Sequence, residues 1–198
     1  MAMEFIVPGV QVDESDVGTR STNQLSLAGI GIVGTFLKGP VNTVTTIGDE
    51  IAYVKTFGTD APGLTGPKTV KGCFAQSAND LRIVRIAGAG YAPATLTLKD
   101  ATKDTPADSI IVTATSPGVW GNALTVTVAT NAKNGIDITV TDGDSMDIFK
   151  NVSLDNLPLT KNLVTLKKAT GAVSLPAVVT DKALSGGNDG APVTINDY

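Results

Sequence analysis

From Leu96 to Val140 the apolar residues recur at every second position: Leu96/Leu98, Ile110/Val112, Leu124/Val126/Val128 and Ile136/Ile138/Val140. A period of two belongs to a strand with one buried face, because a helix would scatter these side chains around its axis. Thr fills many of the intervening places, where a β-branched side chain suits a pleated surface. Asn134-Gly135 lies between two of the runs and Asp142-Gly143 follows the second; both dipeptides tolerate the positive φ of tight hairpin turns. With 26 Thr, 21 Val, 21 Gly and 10 Pro in 198 residues, the composition also favours short strands and turns. Residues 89–186 are therefore expected to form an antiparallel β-sandwich or small barrel.

The preceding stretch has another rhythm. Ser26 to Phe36 is apolar enough to predict a strand buried on both faces. Thr46-x-x-Asp49 has the spacing of a capping box, which predicts a short helix with Ile51, Val54 and Phe57 on its packed side and Gly58 just past its end. Pro67 suits the first turn of a second helix, with Val70, Cys73, Phe74 and Ser77 at helical spacing and an end near Asn79. Leu81 to Ala87 then reads as a strand. Strand, helix, helix, strand makes residues 26–88 part of an α/β layer, so the whole chain is expected to be α+β and β-rich.

At the N-terminus Phe5, Ile6, Val7, Val10 and Val12, with Glu14 closing the run, form an apolar strand broken by Pro8-Gly9 and followed by polar residues up to Gln24. Pro confines such a strand to an edge or an arm. It can pair within its own domain or add to an open sheet edge of a neighbour. At the other end, Ser185-Gly186-Gly187-Asn188-Asp189-Gly190 reads as a flexible turn with eight residues after it.

Little of the chain suggests chemistry. It contains no His, which removes Ser-His-Asp and Cys-His catalysis and every His-containing zinc site. One Cys cannot close an internal disulfide, and Cys73 on the apolar side of its helix reads as a buried structural thiol. A net charge of −4 and a pI near 4.7, with no basic stripe, give nucleic acid and anionic membranes no electrostatic purchase. No basic n-region precedes an apolar run at Met1 to Glu4, and no apolar stretch approaches the roughly 20 residues of a membrane span. A soluble chain made in a reducing cytoplasm, with no cofactor and no metal, is expected.

Four strings invite a functional reading. Gly29-x-Gly31-x-x-Gly34 matches a dinucleotide fingerprint, yet Thr35 to Lys38 leads into Gly39-Pro40 where a helix should open; these glycines are read as places of close packing against a strand. Asp142, Asp144 and Asp147 lack the rest of a calcium loop and read as a solvated hairpin turn. Asn151-Val152-Ser153 fits a glycosylation acceptor that a cytoplasmic protein would not use. Pro117, Gly118, Trp120 and Asn122 sit in a corner just before the strand Leu124 to Val128, where the ring is expected to plug one end of the β-domain. The alternative for that corner is a stacking platform for a sugar or protein partner, which would make the β-domain an adhesin-like binding module.

Taken in order, several segments resemble the tail sheath protein of contractile phage tails and related injection systems. They are Pro8-Gly9-Val10-x-Val12-x-Glu14; Gly31-Ile32-Val33-Gly34-Thr35-Phe36-Leu37-Lys38-Gly39-Pro40-Val41-Asn42; Phe57-Gly58; Leu81-Arg82-Ile83-Val84-Arg85; Ser116 to Asn122; and Leu184 to Gly190. The resemblance implies a non-enzymatic subunit that polymerises around a tail tube and contracts. Its partners would be neighbouring sheath subunits, the tail tube protein and the baseplate, and its location the virion tail, assembled in the host cytoplasm. It also implies an organisation: 1–25 an arm and hinge that adds a strand to a neighbour, 26–88 the first segment of a discontinuous core domain, 89–186 an inserted domain projecting outward, and 187–198 the return into the core. Sheath proteins continue well beyond the Gly-Gly-Asn-Asp-Gly turn, so a chain ending at Tyr198 is expected to be a truncated subunit rather than one part of a split one.

Overall fold

The computed structural model describes residues 29–131 and 135–197. The expected arm, with Phe5, Ile6, Val7, Val10, Val12 and Glu14, lies outside the described residues, as does Asn134.

Three strands and two helices make the first layer. Strand β1 (Ile30–Gly34) pairs in parallel with β3 (Leu81–Arg85), and β2 (Val44–Ile47) pairs antiparallel with the other side of β3. Helices α1 (Glu50–Phe57) and α2 (Gly66–Ala75) fill the stretch between β2 and β3. Ile32, Phe36, Ile47, Tyr53, Phe57, Val70, Leu81 and Ile83 bury one face of this sheet. Phe36 and Phe57 lie 5.0 Å apart between ring centroids, and Tyr53 stacks on Phe57 at 6.0 Å.

Several local expectations change here. The strand before Gly34 is not buried on both faces: Val33 is 52% exposed, and Val33, Val84 and Val44 sit side by side across the sheet on its open face. Thr46 belongs to β2, so no capping box forms. Asp49 itself caps α1, its carboxylate accepting the Ala52 N–H at 2.8 Å. The packed side of α1 is Tyr53 and Phe57, an i,i+4 pair of rings, while Ile51 and Val54 face outward. Two aromatic rings bury more apolar area than the aliphatic pair, and that decides which side turns inward. Gly58, at φ 80°, ends the helix as expected, its N–H donating to the Val54 carbonyl. In α2, Pro67 occupies the first turn and Val70 is fully buried, but the helix stops at Ala75 and Ser77 stands outside it in a left-handed conformation. Cys73 is half-buried against the core rather than enclosed.

The alternating segments form two four-stranded sheets, in the orders β4-β5-β10-β9 and β11-β6-β7-β8. The strands are β4 (Thr95–Lys99), β5 (Asp108–Ala114), β6 (Thr125–Thr130), β7 (Ile136–Thr141), β8 (Met146–Val152), β9 (Leu159–Thr160), β10 (Val164–Lys168) and β11 (Val179–Ala183). Leu98, Ile110, Val112 and Leu166 from one sheet and Val126, Val128, Ile138 and Val140 from the other share a single core, so the arrangement is a sandwich and not a small barrel. Each such side chain is essentially fully buried and contributes roughly 1.5–3 kcal/mol of transfer free energy. The register follows the sequence pattern, with Val126 opposite Val140 and Val128 opposite Ile138. Asp142 and Gly143 form the β7–β8 turn, where the Asp142 carboxylate accepts the N–H groups of Asp144 and Ser145 at 3.1 and 2.6 Å.

Residues 185–190 are not a loose turn. Ser185 and Thr95 exchange both backbone hydrogen bonds, as do Asn188 and Ala92, so the way into the sandwich and the way out of it lie side by side. The Ala191 N–H donates to Ala89 and extends the pairing towards the end of β3.

Candidate functional site

The two cores meet at one small junction, and the residue that makes it is Arg85. In β3 the period of two places Leu81, Ile83 and Arg85 on the buried face. The third of these carries a guanidinium into a position 2% exposed. Burying a cation there is tolerable only with partners. One terminal nitrogen, Nη1, donates to the carbonyls of Gly39 at 2.9 Å and Pro117 at 2.8 Å. The other, Nη2, stands 3.9 Å from the Asp189 carboxylate, which is 58% exposed. Burial holds the Arg85 pKa below its ordinary value, with Asp189 opposing only part of the shift; an Arg remains charged throughout. One side chain thus joins the loop after β1, the corner before β6 and the segment that leaves the sandwich.

The predicted corner residues collect around this point. Gly118 adopts φ 134°, and a Cβ there would come 2.7 Å from Asp189 Oδ1, so only glycine lets the chain pass. The Val119 N–H donates to that same Asp189 oxygen at 3.0 Å. Asn122 clamps the outgoing segment, its Oδ1 accepting from the Gly187 N–H at 2.8 Å while its amide donates to the Gly187 carbonyl at 3.0 Å. Trp120 lies in a short 3-10 turn (Val119–Ala123), half-buried against the sandwich core, with Lys38 Nζ 5.5 Å from its ring centroid. Ser116, fully inside, accepts the Gly39 N–H at 3.0 Å.

Arg85, Ser116, Lys38 and Asp189 were not singled out by the sequence as site residues. One signal was available: in Leu81-Arg82-Ile83-Val84-Arg85, alternation puts a charge where a third apolar residue belongs. The other three gain their meaning only from contacts distant in sequence: Ser116 with Gly39, Lys38 with Trp120, and Asp189 with Val119 and Arg85.

Beside the junction a cleft of about 820 Å³ separates α1 from the β7–β8 turn. Ile51, Val54 and Lys55 line one wall, and Asp142, Asp144 and Met146 the other. Asp147, from the acidic string, is buried and accepts the Leu163 N–H at 2.7 Å, so it joins β8 to the start of β10 and does not face a shared ion position with Asp142. Among the described residues no group of three acidic or Cys side chains is placed to hold a metal ion, and no helix is long and apolar enough to cross a membrane. The Gly29-x-Gly31-x-x-Gly34 string runs through β1 with no helix opening after it. A Cβ on Gly34 would stand 3.2 Å from the Gly66 backbone and one on Gly29 2.7 Å from Asp80 Oδ2, whereas one on Gly31 would meet open space, so close packing accounts for Gly29 and Gly34 and not for Gly31.

Neither a protein-family model nor a curated protein matches the sequence. Solved structures do match the fold. A sheath tail protein from Listeria innocua superposes over 86% of this chain with a TM-score of 0.63 at 22% identity. A second, from Desulfitobacterium hafniense, superposes over 93% with a TM-score of 0.57 at 19% identity. This is a sheath-tail fold. The chain spans 36% and 40% of the lengths of those two sheath-tail structures, so most of each has no counterpart here. Because the superposition covers nearly all of the chain, the sheath-tail likeness includes both the α/β layer and the sandwich that Arg85 joins.

Proposed function

We propose that the chain is part of the structural subunit of a contractile tail sheath, in a phage, a prophage or a phage-like injection particle. The observation that carries this reading is the sheath-tail fold over 86% and 93% of the chain. The work of such a subunit is mechanical: energy stored in a helical lattice at assembly is released when subunits rotate into better contact. In this reading neighbouring sheath subunits, a tail tube and a baseplate are the partners, and residues 1–25 are the arm that adds a strand to a neighbour, with Phe5, Ile6, Val7, Val10 and Val12 supplying its apolar side chains. Residues 26–88 begin the core domain, 89–186 form the outward domain and 187–198 return to the core. The junction geometry favours this over a glycan-binding module, since Lys38 already lies over the Trp120 ring and the Asp142 carboxylate is taken up by its own turn.

Immunogold labelling of intact particles with antibody against this chain tests the proposal. Label spaced along the whole length of the tail is expected; label confined to the tail tip, or absent from particles altogether, would overturn it. Deleting residues 1–20 from the complete subunit is expected to leave the domains folded and to abolish ordered polymers. Contractile polymers of normal length from that deletion would remove the arm from the proposal.

A further inference from the structure

The cleft between α1 and the β7–β8 turn has walls that match each other. The helix wall presents Ile51, 83% exposed, and Val54; the opposite wall presents Met146, 60% exposed. Around these apolar residues the charges are unlike: Lys38 and Lys55 stand on the side of the α/β layer, with Glu50 at the start of α1, while Asp142 and Asp144 stand on the turn. The side-chain contacts that tie the two sides together lie at the junction, through Arg85, Ser116, Lys38 and Trp120. That makes a pivot with an open jaw beside it. The pivot is also imperfectly satisfied, because Arg85 Nε and Trp120 Nε1 are buried without an acceptor among the described residues. Such donors raise the energy of the arrangement that contains them.

We propose that the sandwich swings about the Arg85 junction and closes this cleft, bringing Met146 onto Ile51 and Val54 and the turn carboxylates towards Lys55. The occupant of the cleft is its own opposite wall. Closure follows from apolar burial and from attraction between the charges of the two walls, and salt weakens the second term. The proposal concerns motion within one chain and stands or falls independently of the sheath assignment.

The test places spin labels on the full chain at Thr59→Cys and Ser145→Cys, two exposed cleft residues that carry no charge, in a Cys73→Ala background. Pulsed dipolar spectroscopy is expected to resolve two intramolecular distances. The shorter population should fall at least about twofold between roughly 0.02 M and roughly 1 M salt, and should be lost with Lys55→Glu. Should the labelled variant not fold, acrylamide quenching of Trp120 in the unmodified chain reads the same closure, because the ring lines the cleft; quenching should rise with salt. A single distance indifferent to salt and to Lys55→Glu, or quenching that salt does not change, would overturn the proposal. So would a short population that grows with protein concentration, which would give the cleft to a second copy of the chain.

Discussion

Replacing Arg85 by Met keeps the aliphatic stem and removes the guanidinium. The two carbonyls at 2.9 and 2.8 Å lose a charged donor, each bond being worth about 1.5–3 kcal/mol, so the gross loss is about 3–6 kcal/mol. Removing a buried cation whose Nε has no acceptor among the described residues offsets roughly 1–3 kcal/mol of that. The contact with Asp189 adds little, since it is 3.9 Å long and the carboxylate is 58% exposed. A net destabilisation of about 2–3 kcal/mol is expected, located at the junction and not in either core. Urea unfolding followed by the fluorescence of Trp120, the sole tryptophan, and in parallel by circular dichroism, reads this directly. In the native chain the two signals are expected to move together; in Arg85→Met the Trp120 transition should come first. Arg85→Lys, a point charge without the planar fork, should fall between the two. If the Trp120 midpoint moves by less than the equivalent of about 0.5 kcal/mol, the junction is held by something other than these bonds and the reasoning fails.

Other perturbations address single elements. Gly187→Ala puts a Cβ 2.4 Å from the Gly118 carbonyl oxygen, and about 2 kcal/mol of destabilisation by chemical denaturation is expected, whereas Gly72→Ala, inside α2 with open space for its methyl, should stabilise by roughly 0.5–1 kcal/mol. Tyr53 is buried with no partner for its hydroxyl among the described residues, and burial, helped by Asp60, pushes its pKa up to about 12. The folded state therefore holds this proton more tightly than the unfolded chain, so the stabilisation is intact below the ordinary tyrosine value and is lost as pH rises towards about 12. Absorbance titration should show one late phenol, absent in Tyr53→Phe. Asp100 accepts the Thr102 and Ala107 N–H groups and the Thr102 hydroxyl, and these bonds hold its pKa below the ordinary carboxylate range. Its contribution is present above that range and disappears as pH falls through the depressed value. Amide exchange in residues 100–107 should accelerate there, and Asp100→Asn should remove the step.

The strands and turns of the β-domain were readable because their signal is local, while the choice of sandwich over barrel came from the core its two sheets share. Leu124, Val126 and Val128 face inward since alternate residues of any strand do, and Asp142-Gly143 turns back because that dipeptide accepts the required backbone angles. The helices were readable to within a turn, from Asp49, Pro67 and Gly58, but not their faces. Ile51 and Val54 have helical spacing as good as that of Tyr53 and Phe57; the aromatic side has more area to bury, and Phe36 across the layer meets both of its rings. Residues 185–190 looked like a turn since they are Gly-rich, and became an ordered pairing because Ala92, Thr95 and Asn122, some 65 to 96 positions earlier, supply its hydrogen bonds.

The corner around Trp120 shows the same division. Pro117, Gly118, Trp120 and Asn122 stood out as an unusual cluster, yet the side chain that gives the cluster its purpose is on β3. The sequence by itself determined a β-rich α+β chain with a period-two antiparallel β-domain, sandwich or small barrel, and no imidazole chemistry, because strand period, turn residues and the absence of a side-chain type are properties of neighbours in the chain. Tertiary structure alone decided that Arg85 joins Gly39, Pro117 and Asp189, and that a cleft opens beside them. A buried cation finds its partners wherever the fold leaves carbonyl oxygens and a carboxylate facing inward, and no sequence spacing encodes where that will be.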